Sequence, residues 1–147
     1  MPDLKALVGF LPRLQAEGFS AGKWSGMEEN SPGVMTMPWV DYSETASDFM
    51  KAAYDHGWVL KNFDWGEWQQ TPEARALVED PAALGRASAT QLARLLTIEI
   101  RRDRFVEGAL LSAFESGLIL AIVKRAEQLL KKKKQAASAA GSKSAAQ

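Results

Sequence analysis

"ALLSAFESGLILAIVKRAEQLLKKKK", residues Ala109 to Lys134, decides the fold. Leu111, Phe114, Leu118, Ile122 and Leu129 recur at helical spacing, and Leu110, Ile119 and Val123 widen the stripe almost all round. A helix that is apolar on most faces is one covered by its neighbours. The segment therefore predicts one central, deeply buried helix from 109 to about 134. Gly117 inside it costs about 1 kcal/mol relative to Ala, which a close approach by another backbone would explain. The longest apolar run, Leu118 to Val123, is far short of the roughly 20 residues that span a bilayer, so no membrane segment is expected.

Working outward, the downstream end "KKKKQAASAAGSKSAAQ" is of low complexity and predicts a disordered Lys/Ala/Ser-rich tail over 131–147, leaving a single globular domain over 1–130. Upstream, Ser88 and Gln91 have capping-box spacing for a long helix. Thr71-Pro72 and Asp80-Pro81 each place a capping side chain before a proline at the first helical position. Ala46, Phe49, Met50, Ala53 and Tyr54 form a stripe from about Glu44 to His56, with Gly57 placed to stop the helix. Leu4, Leu7, Val8, Leu11 and Leu14 form another, which Pro12 stops or kinks near Leu11.

Between these helices, residues 20–33 are rich in Ser, Gly, Asn and Pro and read as an exposed loop. Val34 to Val40 reads as a short strand, held to a sheet edge by Pro38. "WVLKNF" (58–63) is its expected antiparallel partner. Ten of the thirteen aromatic residues, including all five Trp, lie between Phe19 and Trp68. The fold class expected is mainly α (α+β possible), a compact helical domain with a small antiparallel β element and a disordered C-terminal tail.

Composition narrows the chemistry. There is no Cys, which excludes disulfides, thiol catalysis and Cys-based zinc sites. One His, His56, makes a His-rich metal site or a Ser-His-Asp triad improbable, and its place before Gly57 suits a helix C-terminus. No metal site and no cofactor are expected, and neither GxGxxG nor GxxxxGK[ST] occurs. The formal net charge is zero, but residues 124–147 hold seven Lys or Arg against one Glu. The remaining residues are correspondingly acidic, a poor surface for polyanions. Nucleic-acid contact is thus expected only weakly, through the Lys tail. "MPDLKALVGF" lacks the basic front and cleavage site of a secretory signal, so a cytoplasmic chain is expected.

The candidate site is "TIEIRRDRFVEG", Thr97 to Gly108, with six charged residues in twelve. On a continuous helix at about 100° per residue, Leu92, Leu95, Leu96, Ile100 and Val106 face inward, and Glu99 and Asp103 lie among them. Arg102 falls on the edge, and Arg101 and Arg104 on the far side. Burying a carboxylate requires a cation or a proton. Three outcomes follow: a structural salt-bridge cluster with Arg102, a solvent-facing cleft where the acids and Arg102 bind a ligand or act as acid and base, or a helix that breaks near 101–104. The second candidate is "FDWGEWQ" (63–69), where Trp65 and Trp68 flank Asp64 and Glu67. Such a loop can stack a base or cage a cation, or serve as a hydrophobic flap.

Leu96-Thr97, Arg101, Arg104-Phe105, Gly108 and Gly117, with "FLP" at 10–12, Tyr42, Phe49 and "FDWGEW", resemble the pattern of a family of small uncharacterised bacterial proteins classed as a domain of unknown function. The pattern reads LT-x3-R-x2-RF-x2-G, and the likeness covers about residues 4–126. It implies a small helical or α+β domain and no particular chemistry. It draws weight to Arg101 and Arg104, which either lock their helix to the Asp64/Glu67 loop or, with Phe105, receive an anion.

The expected function is a non-catalytic binding or protein-interaction module, with an unknown protein partner or self-association. The alternative is a binder or enzyme for an anionic, nucleotide-like ligand, built from Arg101, Arg102 and Arg104 with Glu99 or Asp103. In either case the arginines before Gly108 are expected to be held by nearby carboxylates and indoles.

Overall fold

The computed structural model describes residues 2–26, 29–31, 34–35 and 37–145. Among them the element order is α1 (Leu4–Val8), α2 (Leu11–Leu14), β1 (Gly22–Ser25), β2 (Glu29–Ser31), β3 (Val34–Met35), β4 (Trp39–Tyr42), α3 (Glu44–Asp55), α4 (Trp65–Trp68), α5 (Pro72–Glu79), α6 (Pro81–Leu84), α7 (Ala89–Arg102), α8 (Ala109–Glu115) and α9 (Leu118–Ala145). The chain is mainly helical with small antiparallel β pairs, as its pattern predicts.

Local chemistry sets the helix starts. Ser88 Oγ accepts from the Gln91 N–H at 3.1 Å, and Gln91 Oε1 accepts from the Ser88 N–H at 2.9 Å, closing the capping box of α7. Thr71 caps α5 and Asp80 caps α6, each followed by proline. Pro12 divides the first apolar stripe into α1 and α2. Gly57, at φ 80°, follows the end of α3.

Two expectations are corrected. The segment 109–134 is not one helix: Gly117 takes φ 87°, its N–H donates to Phe114 O at 3.2 Å, and the chain turns between α8 and α9. Gly117 acts as the left-handed stop after a helix, a conformation that costs glycine little. The strand partner of 34–40 is not 58–63. β4 pairs antiparallel with β1, Gly22 opposite Tyr42 and Ser25 opposite Trp39, and β2 pairs with β3. Strands thus occupy much of the loop expected over 20–33, part of which lies outside the described residues. Asn62, at φ 54°, ends any extended run over 58–63. α9 runs from Leu118 to Ala145. Lys, Gln and Ala are strong helix formers, and extending an existing helix avoids the nucleation cost. Lys131 to Ser138 are exposed and stand outside the core.

The core gathers Leu7, Phe49, Trp58, Leu92, Leu96, Leu110, Ile119, Ile122 and Val123, all essentially inaccessible. Phe10, Phe49 and Phe114 meet edge to face at 5.3 and 5.6 Å, joining α3 to α8. Edge-to-face geometry sets the positive rim of one ring against the negative face of the next.

Thr97 holds the 58–60 segment on α7. Its hydroxyl, fully buried, accepts from the Leu60 N–H at 2.9 Å and donates to Ala93 O at 2.7 Å. Thr97→Val keeps the shape and strands the Leu60 N–H. It should destabilise the fold by about 1–3 kcal/mol in urea unfolding and accelerate exchange of the Leu60 amide, whereas Thr97→Ser keeps both near wild type.

Candidate functional site

The charged stretch does not stay helical. α7 ends at Arg102, and Asp103 to Gly108 turn the chain into α8, so the third outcome, a break, is the observed one. The continuous-helix projection consequently fails beyond Arg102, where Val106, expected to face inward, is 52% exposed and Phe105 is 78% exposed.

Gly108, at φ 88°, precedes α8 and has no side chain with which to cap it. The first N–H groups of a helix need acceptors. Asp103 Oδ1 takes the Leu110 N–H at 3.1 Å, and Tyr42 Oη takes the Leu111 N–H at 3.2 Å. The Tyr42 hydroxyl in turn donates to Asp103 Oδ1 at 2.7 Å. Burial, then the Asp103 carboxylate that accepts its proton, push the Tyr42 phenol well above its ordinary value. Asp103 is therefore a cap held from β4. Glu107 reaches the same strand, accepting the Val40 N–H at 2.8 Å. A Cβ on Gly108 would lie 2.3 Å from Trp24 Cζ2, so only glycine lets the indole rest on this backbone.

Beside this corner lies a groove of about 340 Å³. Trp24 of β1, Val78 of α5 and Val106 of the corner rim it, and Glu99 and Arg102 of α7 lie along it. The Glu99 side chain is 12% exposed, with Arg102 Nη1 at 3.9 Å. Burial pushes the Glu99 carboxyl above the ordinary carboxylate range, and Arg102 opposes the shift. Ser112 and Ser116 also line the groove.

The other sequence candidates lie elsewhere. Arg101 donates to Leu60 O at 3.4 Å, and its buried Nε has no hydrogen-bond partner among the described residues. Arg104 donates to Tyr54 Oη at 2.9 Å and sits 5.9 Å from that ring's centroid. The expected lock between these arginines and Asp64/Glu67 is thus absent among the described residues. Asp64 caps α4 through the Glu67 N–H at 3.0 Å. Trp65 does meet the corner, stacking on Phe105 at 6.3 Å. Trp68 is buried, and its Nε1–H donates to Glu73 at 3.2 Å.

The residue that pins the aromatic segment is Arg94, 5.7 Å from both the Phe63 and Trp68 ring centroids and 4.0 Å from Glu73. Its signal was present in the sequence: Arg94 precedes Arg101 by two turns, on the same side of α7. Tyr54, Trp24 and Val78 complete the set that sequence reasoning missed, while Tyr42 entered only through the family resemblance and Glu107 only as one charge of the stretch. Pairings across many residues gave no local signal for them. Among the described residues no three His, Asp or Glu side chains gather as a metal site, and no helix is long and apolar enough to cross a membrane.

Two outcomes check this geometry. Tyr42→Phe should cost about 1–2 kcal/mol in chemical unfolding and deprotect the Leu111 amide, because a helix N–H loses its acceptor. For Glu99, the folded chain holds the proton more tightly than the unfolded chain, whose carboxyl titrates near 4.5. Its contribution to stability is full below that pH and is lost as pH rises through the raised folded value. Glu99→Gln should therefore gain stability relative to wild type as pH rises above about 4.5 in urea titrations, levelling off once the folded carboxyl has ionised; a constant difference would refute the burial of this acid.

A family model for a family of unknown function (DUF6508) matches residues 1–132, nearly the whole chain. No curated protein and no solved structure matches it. The match spans every element that builds the corner and its groove, and the chain belongs to this family, DUF6508.

Proposed function

We propose that the protein is a non-catalytic binding module whose contact face is the groove beside the α7–α8 corner. The partner is a protein segment that brings an apolar side chain and a basic one. The observation that carries this reading is the rim: Trp24, Val78 and Val106 are 45%, 54% and 52% exposed around one concavity. Apolar groups gathered at a concave site favour contact with another molecule. Phe105, next to Val106 in the chain, is still more exposed.

Charge argues for the basic side chain. Glu99 and Glu107 line the groove against Arg102 alone. An arriving ammonium or guanidinium would stabilise the Glu99 carboxylate that burial now disfavours. The same balance favours a basic guest over the anionic ligand considered from the sequence. Support for a non-catalytic role comes from the engagement of the charged groups. Asp103 caps α8, Arg101 faces Leu60 O and Arg104 faces Tyr54, so the acids and arginines do not converge as one constellation.

Selection of a random peptide display library on the full chain should enrich peptides pairing Lys or Arg with an aromatic or aliphatic residue. Val106→Asp, at an exposed position that should tolerate it, is expected to weaken the enriched peptides about tenfold, and Glu99→Gln to weaken the basic ones selectively. Enriched peptides that are acidic, or that bind wild type and Val106→Asp equally, would overturn the reading.

A further inference from the structure

A second concavity, about 510 Å³, lies where α1 meets the C-terminal half of α9. Leu4 on α1 and Leu130 and Ala137 on α9 supply apolar wall, and Lys5, Lys133 and Lys134 bring three ammonium groups. Its size falls within the roughly 300–1,000 Å³ of small-molecule sites. Asp3, the one acid lining it, is already engaged: Oδ1 accepts the Ala6 N–H at 3.3 Å, and Oδ2 lies 3.6 Å from His56 Nδ1. On α9, Glu127 pairs with Lys131 at 3.6 Å, one turn before the lysines of the site. Lys5, Lys133 and Lys134 have no ion pair among the described residues. The fold thus gathers unneutralised cations at the mouth of an apolar trough.

We infer that this trough binds a single-chain anionic amphiphile, a long-chain carboxylate, with its hydrocarbon along Leu4, Leu130 and Ala137 and its head among Lys5, Lys133 and Lys134. Charge complementarity selects the head group. A carboxylate accepts hydrogen bonds from several ammoniums at once and relieves their mutual repulsion. The walls select the tail, because burying each methylene strengthens binding by about fourfold. Long side chains suit the role, since a lysine stem lies along apolar surface while its charge stays in water. This site shares no residue with the corner groove and does not depend on the function proposed for it.

Calorimetric titration of the full chain with sodium laurate, below its micelle concentration, tests the inference. One saturable site per chain is expected, weakening steadily toward octanoate. Dodecylammonium and dodecanol should bind at least about tenfold more weakly than laurate. The triple substitution Lys5→Gln/Lys133→Gln/Lys134→Gln alters only exposed side chains and should leave the far-ultraviolet spectrum unchanged while lowering laurate affinity at least about tenfold. Ala137→Asp, also exposed, should lower it too. Equal binding of laurate and dodecylammonium, or unchanged binding by the triple variant, would overturn it. So would capture of the chain by phosphatidylglycerol vesicles when monomeric laurate fails to bind, which would assign the lysines to a membrane surface.

Discussion

A helix start without a capping side chain governs this molecule. Gly108 is required where the chain reverses between α7 and α8, because its φ is positive and Trp24 lies against it. Glycine cannot supply the acceptor that α8 needs. The acceptors come instead from Asp103, five residues back, and from Tyr42 on β4. That arrangement welds the β pair to the helical body at one point, and Glu107 adds a second weld at Val40. These contacts fix the strand pair and the corner that bring Trp24 and Val106 to the groove lined by Glu99.

The charged stretch is therefore three things at once. Asp103 and Glu107 fasten backbone; Arg101 and Arg104 reach neutral acceptors, a carbonyl and a phenol; Glu99 and Arg102 face the groove. Guanidinium groups paired with neutral oxygens keep their charge, yet they position a segment without needing a carboxylate. The residues on which the family resemblance rests fit this division. Thr97 and Arg101 hold Leu60 from both its N–H and its carbonyl, Phe105 stacks on Trp65, and Gly108 and Gly117 bracket α8. Their pattern records how the corner is built.

What the sequence made readable was short in range. The caps at Thr71, Asp80 and Ser88, the division at Pro12 and the stop at Gly57 each depend on residues within one turn. The mainly helical class followed from them. The β1–β4 pair was not readable, because its partners are 14 to 20 residues apart and β1 sits in a run of turn-forming residues. Gly117 was misread because an apolar stripe on both sides of it made continuity look natural, although a glycine there also fits a helix stop. Of the candidate site, Glu99 and Arg102 were found, since a carboxylate amid aliphatic neighbours is conspicuous. Trp24 and Val78 were not, because only the tertiary fold brings β1 and α5 to that acid.

The length of α9 carries a thermal consequence. Its 28 residues extend about 42 Å, and among the described residues its buried ones all lie between Ile119 and Ala126. Beyond Leu130 every residue through Ser138 is exposed, so apart from the trough shared with α1 it is mainly intrinsic propensity that sustains the coil-resistant form there. Heating should fray that end gradually, well before the buried part gives way. The dichroic signal at 222 nm would then decline along a sloping baseline before its cooperative drop, and amide protection would fall off stepwise along one continuous rod.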